Sequence, residues 1–500
     1  MEDNNNDTAA TARIEDVAAC AAQVDAQVKV VLGRVLAQRR SAETAFGYVA
    51  ALSPGTRANC WSIAEAAGHA APGRMQALLR SYAWDWKDLR AELPRLAAAW
   101  LPDRDGDLIG PGVAIDETAH LKDGDATACV APQHAGCTGK VENCVTSVFS
   151  AYVTACGQAW ADFDAYMPRR WAEDQARRRA AGIPGDLAFA TKPELAERQL
   201  ERLLAAGLPA NWVAADEVYG RSGKLRKAGK KAGLASVFIV PCDFCVTTPA
   251  GTVIRADQAI ADAIFERRSC GTGSKGPRYS DWALVATADP REFLLIRRLI
   301  SRPEQLTFYL CYAPQDRPAT LTYFVTIAGR RWPAEETFRT GKDILGWDQS
   351  QVRTFDGICR HTALAALAQL RNIAIRNALN GDIALPPAPA RQDAAPGPVT
   401  SEEADCDADL VIPLGDAPVP ARSGQPCPRA IAPIKLSVAE TTRLTALASQ
   451  YAAGLINRAR LAFALRWSAR RRRHQAAARW HHYSARLTVA IALSSPDERR

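Results

Sequence analysis

Two short apolar runs, one hundred residues apart, each end in an acid: Gly112-Val-Ala-Ile-Asp116 and Trp212-Val-Ala-Ala-Asp216. Each is bounded by Gly or polar residues and reads as a β-strand. A carboxylate at a strand end points into the rim of a sheet, where a cleft can form. A single Asp in that position is usually a turn former or a helix cap. Here the feature occurs twice and continues in kind, as Asp116-Glu-Thr118 and Asp216-Glu-Val-Tyr219. A chain built this way is expected to fold around a sheet that brings both acids to one rim.

The flanking pattern predicts a mixed α/β core. Ala128–Ala131 and Val145–Tyr152 follow the first run as further strands, in a succession that suits antiparallel pairing. Thr191-Lys-Pro-Glu194 is a capping box with Pro in the first turn, opening a helix that ends before Gly207. A basic helical segment from Arg221 to Lys231 leads to a strand at Val237–Val240. Residues 1–105 read as helices, and Trp61 to Leu79 fits either a helix-turn-helix DNA reader or an ordinary helical hairpin. The expected divisions are residues 1–105, helical and DNA-binding; 106–240, the first part of the core; 241–328, a β-rich insertion; 329–380, the second part of the core; 381–435, a linker rich in Pro, Ala and Asp; and 436–500, a basic helical tail. In the insertion, the Gly/Lys/Arg stretch Gly271–Arg278, with Lys275, Arg278 and the nearby Trp282, is a candidate for gripping a phosphate backbone and stacking a base; its alternative is a hairpin turn beside a core aromatic. Thr320–Ala328 is ambiguous between strand and helix.

A third acidic stretch runs Arg331-Trp-Pro-Ala-Glu335-Glu-Thr-Phe-Arg-Thr-Gly-Lys342. On an α-helix Glu335 and Lys342 share a face, and Pro333 suits a first turn. Such charges are most often an exposed ion-pair face. The sharper reading is a metal-ligating carboxylate between phosphate-binding cations. From Asp216 to Glu335 the chain runs 119 residues, far more than a direct strand-to-helix connection needs, which implies the insertion.

Composition narrows the function classes. The formal charge is +8, compatible with nucleic acid. The thirteen cysteines lack a framework spacing and are expected to be free thiols. Cys242-x-x-Cys245 has no second ligand pair nearby, so buried small residues are expected there rather than zinc. Residues 1–7 lack a signal-peptide core and no run is long enough for a membrane helix, so a cytoplasmic protein without membrane contact is expected. His361 reads as a cap or core histidine. The tail carries Arg466, Arg470, Arg471, Arg472 and Arg473 with Trp467 and Trp480 interleaved, a density that suits phosphate contact.

Taken together, Asp116-Glu-Thr118, Asp216-Glu-Val-Tyr-Gly220 and the Arg331-x3-Glu335-x6-Lys342 spacing resemble the DDE transposases of bacterial insertion sequences. The likeness is to the insertion-sequence 701 family, within the insertion-sequence 4 superfamily that has a Tyr-Arg-Glu-Lys signature. It extends over roughly Phe46 to Tyr483. Two positions depart from the pattern: Ala328 stands where the signature tyrosine falls, and Asp123 where many relatives have a second lysine. The resemblance implies a ribonuclease-H-like mixed sheet interrupted by a β-rich insertion before the last glutamate. It implies that Asp116, Asp216 and Glu335 are catalytic and hold two Mg2+ ions, with Mn2+ as a substitute. Arg331, Lys342, Lys275, Arg278, Trp282 and Arg470–Arg473 would contact DNA. The implied partners are double-stranded DNA, both terminal inverted repeats and target, and a second copy of the chain in the DNA complex. Three acids on one metal pair suit phosphodiester cleavage and joining, and without metal they repel one another, so a loose site is expected. Two alternatives remain: a nuclease on the same core that cuts without joining, and a DNA-binding relative whose centre is idle. Glu335 rather than Glu336 is the expected third ligand, because Glu336 points well off the Lys342 face.

Overall fold

The computed structural model of the protein describes residues 2–53, 55–273, 276–385, 420–421, 424–428, 431 and 433–494. Five helices come first: α1 (Glu2–Val35), α2 (Arg39–Ala51), α3 (Cys60–Ala66), α4 (Gly73–Arg80) and α5 (Trp86–Trp100). The helical pair at Trp61–Leu79 is thus α3 and α4; α3 is capped by Asn59, whose side chain accepts from the Trp61 and Ser62 amides. The core then runs β1 (Gly112–Leu121), β2 (Ala131–Ala135), β3 (Lys140–Thr154), β4 (Gly157–Ala165), α6 (Arg169–Ala172), α7 (Gln175–Ala180), α8 (Lys192–Ala205), β5 (Trp212–Ala215), α9 (Glu217–Gly220), α10 (Gly223–Lys231) and β6 (Ala235–Val240). The Thr191 capping box at the start of α8 is formed in both directions.

Among these strands the order is β2-β3-β1-β5-β6, with β4 also pairing with β3. β1, β3 and β4 pair antiparallel, whereas β1–β5 and β5–β6 are parallel. This is the ribonuclease-H-like arrangement. Side chains alternate across a strand, and one face carries Ala114, Trp212, Ala214 and Val237. The insertion follows β6 as β7 (Cys245–Thr247), β8 (Val253–Arg255), β9 (Glu266–Gly273), β10 (Gly276–Ala286), β11 (Glu292–Arg298) and β12 (Leu306–Tyr312). β12 pairs antiparallel with β6, so β12, β11, β10 and β9 extend the core sheet to ten strands rather than forming a sheet of their own.

The chain returns to the core as α11 (Leu321–Arg331) and α12 (Pro333–Arg339), followed by a π-helical turn at Thr340–Ile344 and then α13 (Phe355–Leu379). Tyr323, Phe324, Ile327 and Ala334 pack on the Ala114–Trp212–Val237 face. The ambiguous Thr320–Ala328 stretch is therefore helical, with the Thr320 side chain accepting from the Tyr323 amide as its cap. The tail forms α14 (Val438–Ala452) and α15 (Arg458–Ser494). No helix among the described residues is long and apolar enough to cross a membrane.

The chain divides into two compact units. The larger comprises Lys29–Gly271 with Arg278–Ile373; the smaller comprises Met1–Val28, Thr272–Pro277 and Ala374–Arg500. Helices α2–α5 and most of the insertion fall within the larger unit. Most of the linker expected at 381–435 lies outside the described residues.

Several local expectations are corrected. Ala128–Val130 are not a strand: Cys129 takes a left-handed φ of 64°, and strand β2 starts at Ala131. β4 and β9 carry no apolar alternation strong enough to announce them. Of the Gly271–Arg278 stretch, Gly271–Gly273 end β9 and Gly276–Arg278 open the neighbouring β10, in keeping with the hairpin alternative rather than the phosphate-gripping one. Cys242 and Cys245 are exposed rather than buried. All cysteines among the described residues are free thiols.

Candidate active site

The parallel register sets Gly112 beside Trp212 and Ile115 beside Ala215. One step further along both strands come Asp116 and Asp216. The two acids are thus neighbours where the parallel pairing of β1 with β5 stops, about one strand spacing (4.7–4.9 Å) apart in the backbone. β5 ends before Asp216, whereas β1 runs on past Asp116 to Leu121 along β3, so Asp116 is a mid-strand acid and not a strand-end one. Asp216 also caps α9, accepting from the Val218 amide at 3.0 Å. The short α9 lies close over β6 because Gly220 has no side chain: a Cβ there would meet the Ile239 carbonyl oxygen at 1.8 Å. That contact explains the glycine that closes the Asp-Glu-Val-Tyr-Gly stretch.

A third carboxylate joins them. Asp116, Glu117 and Asp216 each offer an oxygen within 4.8 Å of the others. Glu117 is held in place from two sides: Lys192 Nζ donates to it at 2.8 Å, and the Tyr219 hydroxyl donates a short hydrogen bond to its other oxygen. Burial pushes the Asp116 carboxyl up to about 7; the Arg331 guanidinium opposes this, and the charges of Asp216 and Glu117 add to it. Asp216 is pushed up to about 6, again by burial first and then by Glu117, against the pull of Arg331. These groups crowd more negative charge than their surroundings neutralise. Hard carboxylate oxygens in that state suit a divalent cation of the Mg2+ class.

Residues 32–279 match the family profile described as DDE superfamily endonuclease, and residues 190–371 match that of the transposase DDE domain. The chain carries a DDE-superfamily domain. It is also 34% identical over 142 residues to a protein of Microchaete diplosiphon described as a probable transposase for insertion sequence element IS701. That match takes in 28% of this chain and spans about a third of the relative, 33% of its length.

Within the DDE domain, Glu335 stands outside the group of three mutually close carboxylates. It is connected through Arg331, whose guanidinium contacts Asp116 Oδ2 and Glu335 Oε1 at 3.3 Å each. Arg331 ends α11 and Glu335 lies in the first turn of α12; Trp332 between them is itself helical, and Pro333, which lacks an N–H, marks the break. Glu336 turns elsewhere, accepting from Gln158 Nε2 at 3.0 Å on β4. Where a loose site was expected, Arg331 bridges two of the acids.

Lys342 is not on a continuous α-helix with Glu335, because the π turn intervenes. Such turns are rare and frequent at functional sites. The turn lets Lys342 Nζ donate to the Ala119 carbonyl at 2.9 Å on β1. Gly341 makes this approach possible, since a Cβ there would meet the Trp160 ring at 2.1 Å.

The remaining candidates separate. Trp282 is only 1% exposed and packs on Tyr309 in the core, so it is not available to stack a base; its apolar strand context was the stronger signal. Arg278 donates to the Gly329 carbonyl at 3.2 Å and lies over the Trp332 ring. Lys275 lies outside the described residues. In α15, Arg471 donates to Glu440 and Arg472 is buried against the Ile434 carbonyl, while Arg470 and Arg473 face outward. His361 is a core histidine: its Nε2–H donates to the Trp347 carbonyl, so its Nδ1 accepts from the Tyr48 hydroxyl, both at 2.8 Å. Glu117 is the residue that reading for a three-acid pattern passed over; its signal was the Asp-Glu repeated after both apolar runs.

Proposed function

We propose that this protein is a transposase that cuts transposon-end DNA and joins it to a target, with Asp116, Asp216 and Glu335 as the metal-holding acids. The observation that carries this reading is the register that makes Asp116 and Asp216 neighbours, with Arg331 linking Asp116 to Glu335. Mg2+, or Mn2+ in its place, would when bound activate the attacking oxygen and stabilise the leaving oxygen of an in-line displacement. The chain's own residues supply the rest. Asp116 and Asp216 are fixed by β1 and by the cap of α9. Lys192 and Tyr219 keep Glu117 oriented beside them. Arg331, in contact with Asp116 and Glu335, and Lys342, held on the Ala119 carbonyl of β1, would hold phosphates flanking the scissile bond. Outward-facing Arg470 and Arg473 contribute further phosphate contacts. The partner is double-stranded DNA, engaged by two copies of the chain, in the cytoplasm.

The test uses the purified full chain with Mg2+ or Mn2+ and duplexes taken from the DNA flanking its coding sequence. Both cleaved and joined products are expected. Glu335→Gln should reduce both to background while a gel shift of the duplex survives. Glu336→Gln should stay within about tenfold of wild type, because one exposed hydrogen bond contributes about 0.5–1.5 kcal/mol. Cleavage without joining would favour the plain nuclease. Inactivity of Glu336→Gln with an active Glu335→Gln would contradict the assignment.

A further inference from the structure

α15 holds nine arginines and no acidic residue. Arg460, Phe463, Trp467, Arg470 and His474 follow at spacings of three and four, so they share one face, with about 15 Å from Arg460 to Arg470. This face is turned to solvent: Phe463 is 48% and Trp467 43% exposed. The two rings contact edge to face, their centroids 6.3 Å apart. Arg460 lies over the Phe463 ring at 6.0 Å and Arg470 over the Trp467 ring at 5.3 Å. Arg466 and Arg473 flank the stripe and are exposed. The opposite side of the helix is used internally, where Leu461 packs with Leu444 and Ala448 of α14 and Arg471 reaches Glu440. Among the described residues, Phe463 and Trp467 are thus left half-exposed to solvent among arginines.

We infer that this stripe of α15 is a binding surface for unpaired nucleotides, with Phe463 and Trp467 stacking bases and Arg466, Arg470 and Arg473 holding the adjoining phosphates. The inference rests on DNA being this protein's partner, and it adds a strand class and a residue set to that reading. Charge selects a polyanion. A second copy of the chain would bring the same nine arginines to the contact and is disfavoured by repulsion. Ring exposure selects unpaired bases, because a duplex presents phosphates and groove edges, whereas a single strand presents π-faces that stack on aromatic side chains regardless of sequence. An anionic membrane would require a continuous apolar face, and the one this helix has is packed against α14.

The experiment measures binding of the full chain to labelled oligothymidine and to a duplex of equal length, across a salt series. Phe463→Ala with Trp467→Ala should weaken oligothymidine binding about tenfold or more and duplex binding by less than about twofold. Phe463→Trp with Trp467→Phe should restore it. Arg466→Ala, Arg470→Ala and Arg473→Ala together should flatten the log–log salt slope for oligothymidine by about two, at about 0.7 per phosphate. Unchanged circular dichroism excludes unfolding of the variants. If the aromatic variant binds oligothymidine like wild type, or loses both probes equally, the stripe does not stack bases, whatever the cleavage assay shows. Displacement of oligothymidine by phosphatidylserine vesicles or polyglutamate as readily as by unlabelled DNA would also overturn it. If wild type binds neither probe, DNA as partner falls with it.

Discussion

Asp116 is the residue on which the site's electrostatics turn. Its carboxyl is raised to about 7 by burial and by two neighbouring acids. An acid raised in the folded state binds its proton more tightly there than in the unfolded chain. Its contribution is therefore favourable at low pH and is lost as pH rises from the ordinary Asp value near 3.8 to about 7. Without divalent ions, Asp116→Asn should remove this loss. The stability of the variant relative to wild type should increase by on the order of 2 kcal/mol between pH 5 and pH 8. Urea unfolding in chelator at the two pH values measures it. Taking the difference between variant and wild type matters, because His361, held neutral by burial at about 4, destabilises the fold in the opposite direction as pH falls below its ordinary value.

Elements decide which of these residues could be read from the sequence. Asp216 was legible as a strand-end acid because an apolar run ending in Asp states both the strand and its limit. For Asp116 the run stated the strand but not its limit, since pairing with β3 carries β1 on to Leu121. The α8 capping box was legible because its four residues act locally. β4 was not, since Gly157–Ala165 mixes Gln, Asp and aromatics and is a strand only because β3 pairs with it. Trp282 was misassigned because a Gly/Lys/Arg turn beside an aromatic looks alike whether the ring faces DNA or the core; burial is a property of the whole sheet. The approach of Lys342 to β1 was likewise hidden, as a π turn depends on packing at one glycine. Gly341→Ala should place a methyl against Trp160 and cost about 1–3 kcal/mol. Thermal unfolding measures the loss, and a stability equal to wild type would mean that the turn can relax. DNA cleavage should fall further than stability alone explains, because Lys342 moves with the turn.

At the scale of the molecule, the site is assembled from three stretches spread over more than two hundred residues, joined by a sheet that the insertion lengthens rather than interrupts. Divalent ions that bind the folded acids and not the unfolded chain must stabilise the larger unit by mass action. At one hundred times the dissociation constant, Mg2+ should add about 2.7 kcal/mol. Its melting transition should rise accordingly in wild type and hardly move in Asp116→Asn with Asp216→Asn. An equal rise in both would assign the effect to ions bound elsewhere. The central claim is that Glu335, now held on Arg331, joins Asp116 and Asp216 around metal. Anomalous scattering from crystals of the full chain grown with Mn2+ tests it directly. Density is expected in direct contact with the carboxylate oxygens of Asp116, Asp216 and Glu335. Density held by Asp116, Glu117 and Asp216 alone, with Glu335 still on Arg331, would contradict it.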